Sequence, residues 1–202
     1  NTGQAANVLG RLDPRTGMIK EFALPDRSGP HGLVADQSGN IWYTANAKAA
    51  IGKLDPKTGQ VTEYPTPGAR DPHTPIFDQK GILWFTAQGA NMIGRLNPQT
   101  GEIKLVTSKT PRSNPYGMVV SSKGVPFLVL FGTNKIASLD PETMAITEYT
   151  LPHAEILVPD DSLAPYRGKF PETPFDGKGG GYAAQPEPNA AVAGMMYLLY
   201  YG

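Results

Sequence analysis

The chain has 202 residues, enough for one domain of ordinary size or two small ones. Its 18 Lys and Arg balance 18 Asp and Glu, favouring neither nucleic acid nor an anionic membrane, and the absence of cysteine excludes a disulfide framework, a thiolate nucleophile and a cysteine-ligated zinc. Glycine (23) and proline (20) make up about a fifth of the chain, too turn-rich for a helical bundle, and no apolar run reaches the ~18 residues that span a bilayer.

In chain order, Val8 to Leu12 reads as the third strand of a four-stranded unit, closed by a turn ending at Gly17. Gly32 to Asp36 is apolar and leads into the Gln37-Ser38-Gly39 turn. Ile41 to Thr44 is β-branched and aromatic, and Ala50 to Leu54 follows it. Next come the Asp55-Pro56-Lys57-Thr58-Gly59 turn and a strand over Gln60 to Tyr64. In that turn Pro presets φ, Asp accepts backbone N–H bonds and Gly takes the left-handed position. Pro65-Thr66-Pro67 carries the chain into the next unit.

The same text then returns. Gly10-Arg-Leu-Asp-Pro-Arg-Thr-Gly17 recurs at Gly52–Gly59 and Gly94–Gly101, and weakly at Ala137–Met144, in steps of 42, 42 and 43 residues. Pro30-His31-Gly32, Pro72-His73-Thr74 and Pro115-Tyr116-Gly117 keep the same step. So do Ile41-Trp42-Tyr43-Thr44 and Leu83-Trp84-Phe85-Thr86, with Phe127-Leu128-Val129 as a degraded copy. Four short strands in about 40–45 residues is the blade period of a β-propeller. The fold expected is therefore all-β: antiparallel four-stranded blades, about three and a half of them over residues 1–152. Propellers close with ~4–8 blades, so either the chain is part of a longer protein or a second copy, in a homodimer of two half-rings, completes the ring. Residues 153–202 lose the period, are rich in Pro and Gly, and read as an irregular tail. His153 reads as a loop histidine, and Met195–Tyr201 as an apolar segment packing on the propeller.

The innermost strand of each blade lines the central channel, so residues entering it converge on one axial mouth. At that phase stand His31, His73 and Tyr116. Imidazole is the side chain best suited to proton transfer near neutral pH, and two beside a phenol make a candidate catalytic set. The alternative is that inner-strand histidines only bond the neighbouring backbone and hold blade to blade. Asp71, two residues before His73, can share its side of an extended segment and orient it or hold a cation; it can equally cap the turn before Pro72. Trp42, Tyr43, Trp84 and Phe85 are read as inter-blade core, and Arg11, Lys53 and Arg95 as a solvated rim.

Gly-Pro-His-Gly-Leu (29–33), Ile-Trp-Tyr-Thr (41–44), Ile-Gly-Lys-Leu-Asp-Pro-Lys-Thr-Gly (51–59) and Glu-Tyr-Pro-Thr-Pro (63–67) resemble the blade motifs of the streptogramin B lyase family, also called virginiamycin B lyases. The resemblance covers roughly residues 8–152. It implies a seven-bladed propeller that opens a cyclic depsipeptide by magnesium-assisted elimination. His31 matches the family's first histidine, Asp71 and His73 its acidic-Pro-His motif with Asp in place of Glu, and Tyr116 its Pro-Tyr-Gly, in a shifted blade frame. The resemblance implies His73 as base, His31 and Tyr116 as its catalytic partners, and Mg2+ near Asp71. Where a carboxylate should follow Trp84-Phe85-Thr86 stand Ala87 and Gln88; Gln88 can offer only a carbonyl ligand, so magnesium would bind more weakly. Two readings stand together: a lyase-like enzyme, and a non-catalytic propeller binding a small ligand or a protein partner at its mouth. A periplasmic or extracellular location is expected from the resemblance and the lack of cysteine.

Overall fold

A computed structural model describes residues 1–151. The irregular tail, His153 and the Met195–Tyr201 segment lie outside the described residues. Fifteen strands are described: β1 (Thr2–Gly3), β2 (Val8–Leu12), β3 (Ile19–Ala23), β4 (Pro30–Ala35), β5 (Ile41–Ala45), β6 (Ala50–Leu54), β7 (Val61–Pro65), β8 (Pro72–Phe77), β9 (Leu83–Ala87), β10 (Met92–Leu96), β11 (Ile103–Thr107), β12 (Pro115–Val120), β13 (Pro126–Leu130), β14 (Lys135–Leu139) and β15 (Ile146–Thr150).

They form four antiparallel meanders. β4 to β7, β8 to β11 and β12 to β15 are complete blades, and β1 to β3 make a three-stranded sheet. Thr2–Gly3 holds the phase of Thr44-Ala45, so this first sheet is a blade seen from its second strand onward. The described part of the expected propeller is thus three full blades and most of a fourth.

The repeated sequence explains the repeated structure. In the hairpin turn of the second blade Lys57 N–H donates to Asp55 Oδ1 at 2.8 Å and Gln60 N–H to Thr58 Oγ1 at 3.2 Å. Gly59 closes it at φ 81°, and in the degraded fourth copy Met144 must take the same left-handed conformation, at φ 63°. Trp42 Nε1–H donates to Asp36 Oδ2, and Trp84 Nε1–H to Asp78 Oδ2, both at 2.9 Å, locking each tryptophan to its blade's first turn. A Cβ at Gly52 would lie 2.0 Å from the Tyr43 ring, so that glycine lets the aromatic side chain cross the third strand.

The core lies between blades. One cluster joins Leu9 and Phe22 to Tyr43 and Leu54, the next Trp42 and Ile51 to Phe85 and Leu96, and the third Trp84 and Ile93 to Leu128 and Leu139. Trp42, Tyr43, Trp84 and Phe85 are fully buried, as expected of inter-blade core. Lys53 and Arg95 depart from the solvated rim expected of them. Lys53 Nζ lies 5.4 Å from the Trp42 ring centre and Arg95 Nε is buried, because each pairs with a tryptophan across the strands and lays its aliphatic stem on the sheet.

Leu12, Leu54, Leu96 and Leu139 are one position of the repeat. The last three are at most 1% exposed against the preceding blade, whereas Leu12 is 59% exposed, with Met18 and Ile19 beside it. The first sheet therefore presents an uncovered blade face.

Candidate functional site

The inner strand expected from Gly32 begins two residues earlier, at Pro30, and the inner strands of the next two blades begin likewise at Pro72 and Pro115. Proline lacks an N–H and is tolerated at a strand's first position. Each then carries a bulge. Pro30 pairs with Ala45 but Leu33 with Tyr43, and the same shift recurs between Pro72 and Pro75 and between Pro115 and Met118. Two residues, His31-Gly32, His73-Thr74 or Tyr116-Gly117, thus stand opposite one. A bulge re-aims side chains, and here the same one is applied in three successive blades.

Its effect is to bring the sequence-predicted set together. The His31 and His73 rings lie 3.9 Å apart, centre to centre, tilted by 44°; His73 and Tyr116 lie 4.2 Å apart at 39°. Phe131 extends the row, 5.2 Å from Tyr116. His73 is buried in the middle, and its Nδ1 is 3.2 Å from Thr74 Oγ1. Burial lowers the His73 pKa to about 4; the neighbouring His31 pushes the same way and Asp71 opposes both. At neutral pH this imidazole is unprotonated, with a lone pair available.

Two threonines absent from the expected site hold it. Thr44 Oγ1 donates to the His73 carbonyl at 2.9 Å and accepts the Gly32 N–H at 2.9 Å, joining two blades at the bulge. Thr86 repeats the device one blade on, donating to the Tyr116 carbonyl at 2.7 Å and accepting from Thr74 N–H at 3.2 Å. Both are fully buried. A Cβ at Gly32 would lie 2.3 Å from the His73 carbonyl oxygen, so glycine is needed for this approach. The recurrence of Thr at 44 and 86 was the signal in the sequence; its meaning depends on the bulge, which no periodicity reveals.

Asp71 lies at the rim, just outside His73, with φ 57°; Gly29 and Asn114 hold the same left-handed place in their blades. Its carboxylate accepts from Asn46 Nδ2, and its carbonyl accepts the Gln88 N–H at 2.9 Å. Asn46 Oδ1 in turn accepts from Gln4 Nε2 at 3.5 Å. Asp71 is thus both a turn residue and a carboxylate beside the imidazole row, and Asn46 is a rim residue that sequence reasoning passed over. Among the described residues no group of three His, Cys, Asp or Glu side chains is placed to hold a metal ion. The hard oxygens on this rim are one carboxylate, Asp71, with the amide oxygens of Asn46 and Gln88. Carboxylate and amide oxygens are donors of the type magnesium takes, but here Asn46 gives its Nδ2 to Asp71 and its Oδ1 to Gln4.

A pocket lined by Asp78, Lys80, Arg95, Lys123 and Glu142 contains none of the mouth residues His31, Asp71, His73, Gln88 and Tyr116. It lies among the hairpin turns at the opposite ends of the strands, where Lys80 Nζ and Glu142 Oε1 pair at 2.8 Å.

Residues 1–158 match a family model described as the Virginiamycin B lyase family. The chain is similar to the solved virginiamycin B lyase from Staphylococcus aureus, at 32% identity and a TM-score of 0.69 over 75% of this chain and 51% of that one. It is equally similar, at 32% identity and a TM-score of 0.68 over 75% and 51%, to a catalytically inactive histidine-to-alanine variant of that enzyme with quinupristin. The chain spans about half the length of these lyases. An auxiliary nutrient binding protein from Bacteroides ovatus, at 17% identity and a TM-score of 0.55 over 73% and 37%, shares the fold. A search among curated proteins returned no match.

Proposed function

The chain belongs to the virginiamycin B lyase family, and from that premise we propose that its axial mouth opens a cyclic ester by elimination. The observation that carries the reading is the continuous row His31–His73–Tyr116, drawn from three blades. The inactive relative with a histidine replaced supports it, since this chain has three histidines in all and two stand in the row.

In the proposed reaction His73 takes the proton from a carbon α to a carbonyl. The electron pair left behind forms a C=C bond to the adjacent carbon, the C–O bond from that carbon to the ester oxygen breaks, and the carboxylate leaves. A base held at about pKa 4 is a weak proton acceptor, so the charge developing on the carbonyl has to be stabilised by its surroundings. His31 and Tyr116 flank the imidazole, orient the substrate and can return a proton to the leaving oxygen. Magnesium, where bound, would be held by Asp71 with Asn46 and Gln88 and would supply positive charge to the developing enolate.

The uncovered face at Leu12 supports the other half of the proposal, closure of the ring by further blades. In a solution of this chain alone a second copy supplies them. A location outside the cytoplasm belongs to the same proposal.

The reading is tested by the rate at which the chain opens a cyclic depsipeptide, with and without His73→Ala. Activity that survives the substitution would remove His73 as the base. Saturable binding without turnover favours the second reading, a propeller that only binds a ligand; the fold shared with the nutrient binding protein supports that alternative.

A further inference from the structure

The residue that follows the second strand occupies one place on the mouth in every blade. It is Gln4, Asn46 and Gln88 in the first three and Phe131 in the fourth. Gln4 and Asn46 hand a hydrogen bond along the rim to Asp71. Phe131 breaks this amide series and lies against Tyr116 instead, at 5.2 Å and 31°.

The backbone holds Phe131 in that position. Its N–H donates to the Asn114 carbonyl at 3.1 Å, and the next N–H, of Gly132, to the Ser113 carbonyl at 2.8 Å. A Cβ at Gly132 would lie 2.3 Å from the Arg112 carbonyl oxygen, so the turn is pressed against the preceding connection. Phe131 is half-buried, and its ring continues the aromatic row beyond Tyr116.

The mouth therefore has two chemically different sides. Hydrogen-bonding amides and one carboxylate stand over the first three blades, and two aromatic rings over the fourth. We propose that Phe131 and Tyr116 form a shelf that receives an aromatic side chain of the ester substrate and selects for it, while the amide side faces the substrate's carbonyl groups. The inference deepens the proposed function and rests on its reading of the mouth as a ligand site. Phe131 acts here as a specificity residue and takes no part in proton transfer.

The probes are N-acetyl-phenylalanine methyl ester and N-acetyl-leucine methyl ester, titrated by NMR into the full chain and into the variants Phe131→Gln and Phe131→Leu, whose melting temperatures are checked first. Stacking on a placed ring gives a preference of about fivefold to tenfold. The expected result is that preference for the aromatic ester in the parent chain and its loss in both variants. Equal affinities in the parent chain, a preference that survives Phe131→Gln, or no binding of either ester would each overturn the shelf. Because these titrations need no turnover, an aromatic preference in a chain that opens no cyclic ester would leave the shelf standing and refute the lyase reading alone.

Discussion

His31 and His73 lie 42 residues apart in sequence and 3.9 Å apart between ring centres, each placed by the same bulge at the start of its blade's inner strand. Two imidazoles this close cannot both carry charge cheaply, and burial already disfavours the charged form of His73. The contact is therefore an electrostatic device as well as a packing one: it keeps the central histidine unprotonated.

An NMR titration of the His73 ring is expected to give a midpoint near pH 4. His31→Gln should raise it by removing a like charge, and Asp71→Asn should lower it. Because the folded pKa lies below the ordinary histidine value of 6.5, the unfolded chain binds more protons between pH 6.5 and about 4, and stability falls as pH drops through that window. The loss is on the order of 3 kcal/mol at most. Glu148 carries the decline lower. Burial alone would raise its pKa, but hydrogen bonds from Thr110 and Ser108, with Lys135, hold it near 2. Its contribution is present above pH 4.5 and lost as pH falls toward 2. Chemical denaturation at pH 7, 5 and 3.5 checks both signs.

Thr44→Val should cost about 1–3 kcal/mol, since the buried His73 carbonyl and Gly32 N–H both lose a partner with no water to replace it. The residue would still pack, as Val129 does at the same place in the fourth blade. Thr44→Ser, which keeps the hydroxyl, should recover most of the loss. If valine and serine melt alike, the hydrogen bonds between blades contribute little.

Much of this architecture was legible in the sequence, because the period is fixed by residues with strict local demands. Asp-Pro-x-Thr-Gly can only be a turn, and a tryptophan recurring at Trp42 and Trp84 must find a core. The row of His31, His73 and Tyr116 followed from phase alone. Asp71 was harder to read: its left-handed backbone and its bond to Asn46 depend on the turn before Pro72, and a carboxylate in a turn looks the same in sequence as one aimed at a cation. Phe131 was invisible because the repeat is traced by residues that recur from blade to blade, and its significance lies in departing from that recurrence. Lys53 and Arg95 looked solvated since charge was read without the tryptophan lying opposite each of them.

Leu12 should bind another blade. Leu54, Leu96 and Leu139 at the same position are buried, and replacing one of them with Ala should cost about 2–5 kcal/mol. Leu12→Ser should instead leave the melting temperature of the isolated half-ring nearly unchanged and weaken association. Light scattering behind a sizing column reads this as a two-chain mass that shifts toward one chain in the variant. A one-chain mass in the parent chain would contradict ring closure by a second copy.

Gln88→Glu should raise magnesium affinity, because it adds a second carboxylate to a rim that otherwise offers amide oxygens around Asp71. Calorimetric titration with magnesium chloride compares the two chains. The same weak response in both, or none, counts against a metal on this rim.

The most direct test of the lyase reading is the mass of the product formed when the full chain is incubated with a cyclic depsipeptide that carries an aromatic residue. Elimination across the row of His31, His73 and Tyr116 predicts a linear product of unchanged mass, with a new C=C bond absorbing in the ultraviolet, and no such product from His73→Ala. A product heavier by one water would mean hydrolysis, and an unopened ring after saturable binding would mean that the mouth holds its ligand without transforming it; either result contradicts the mechanism.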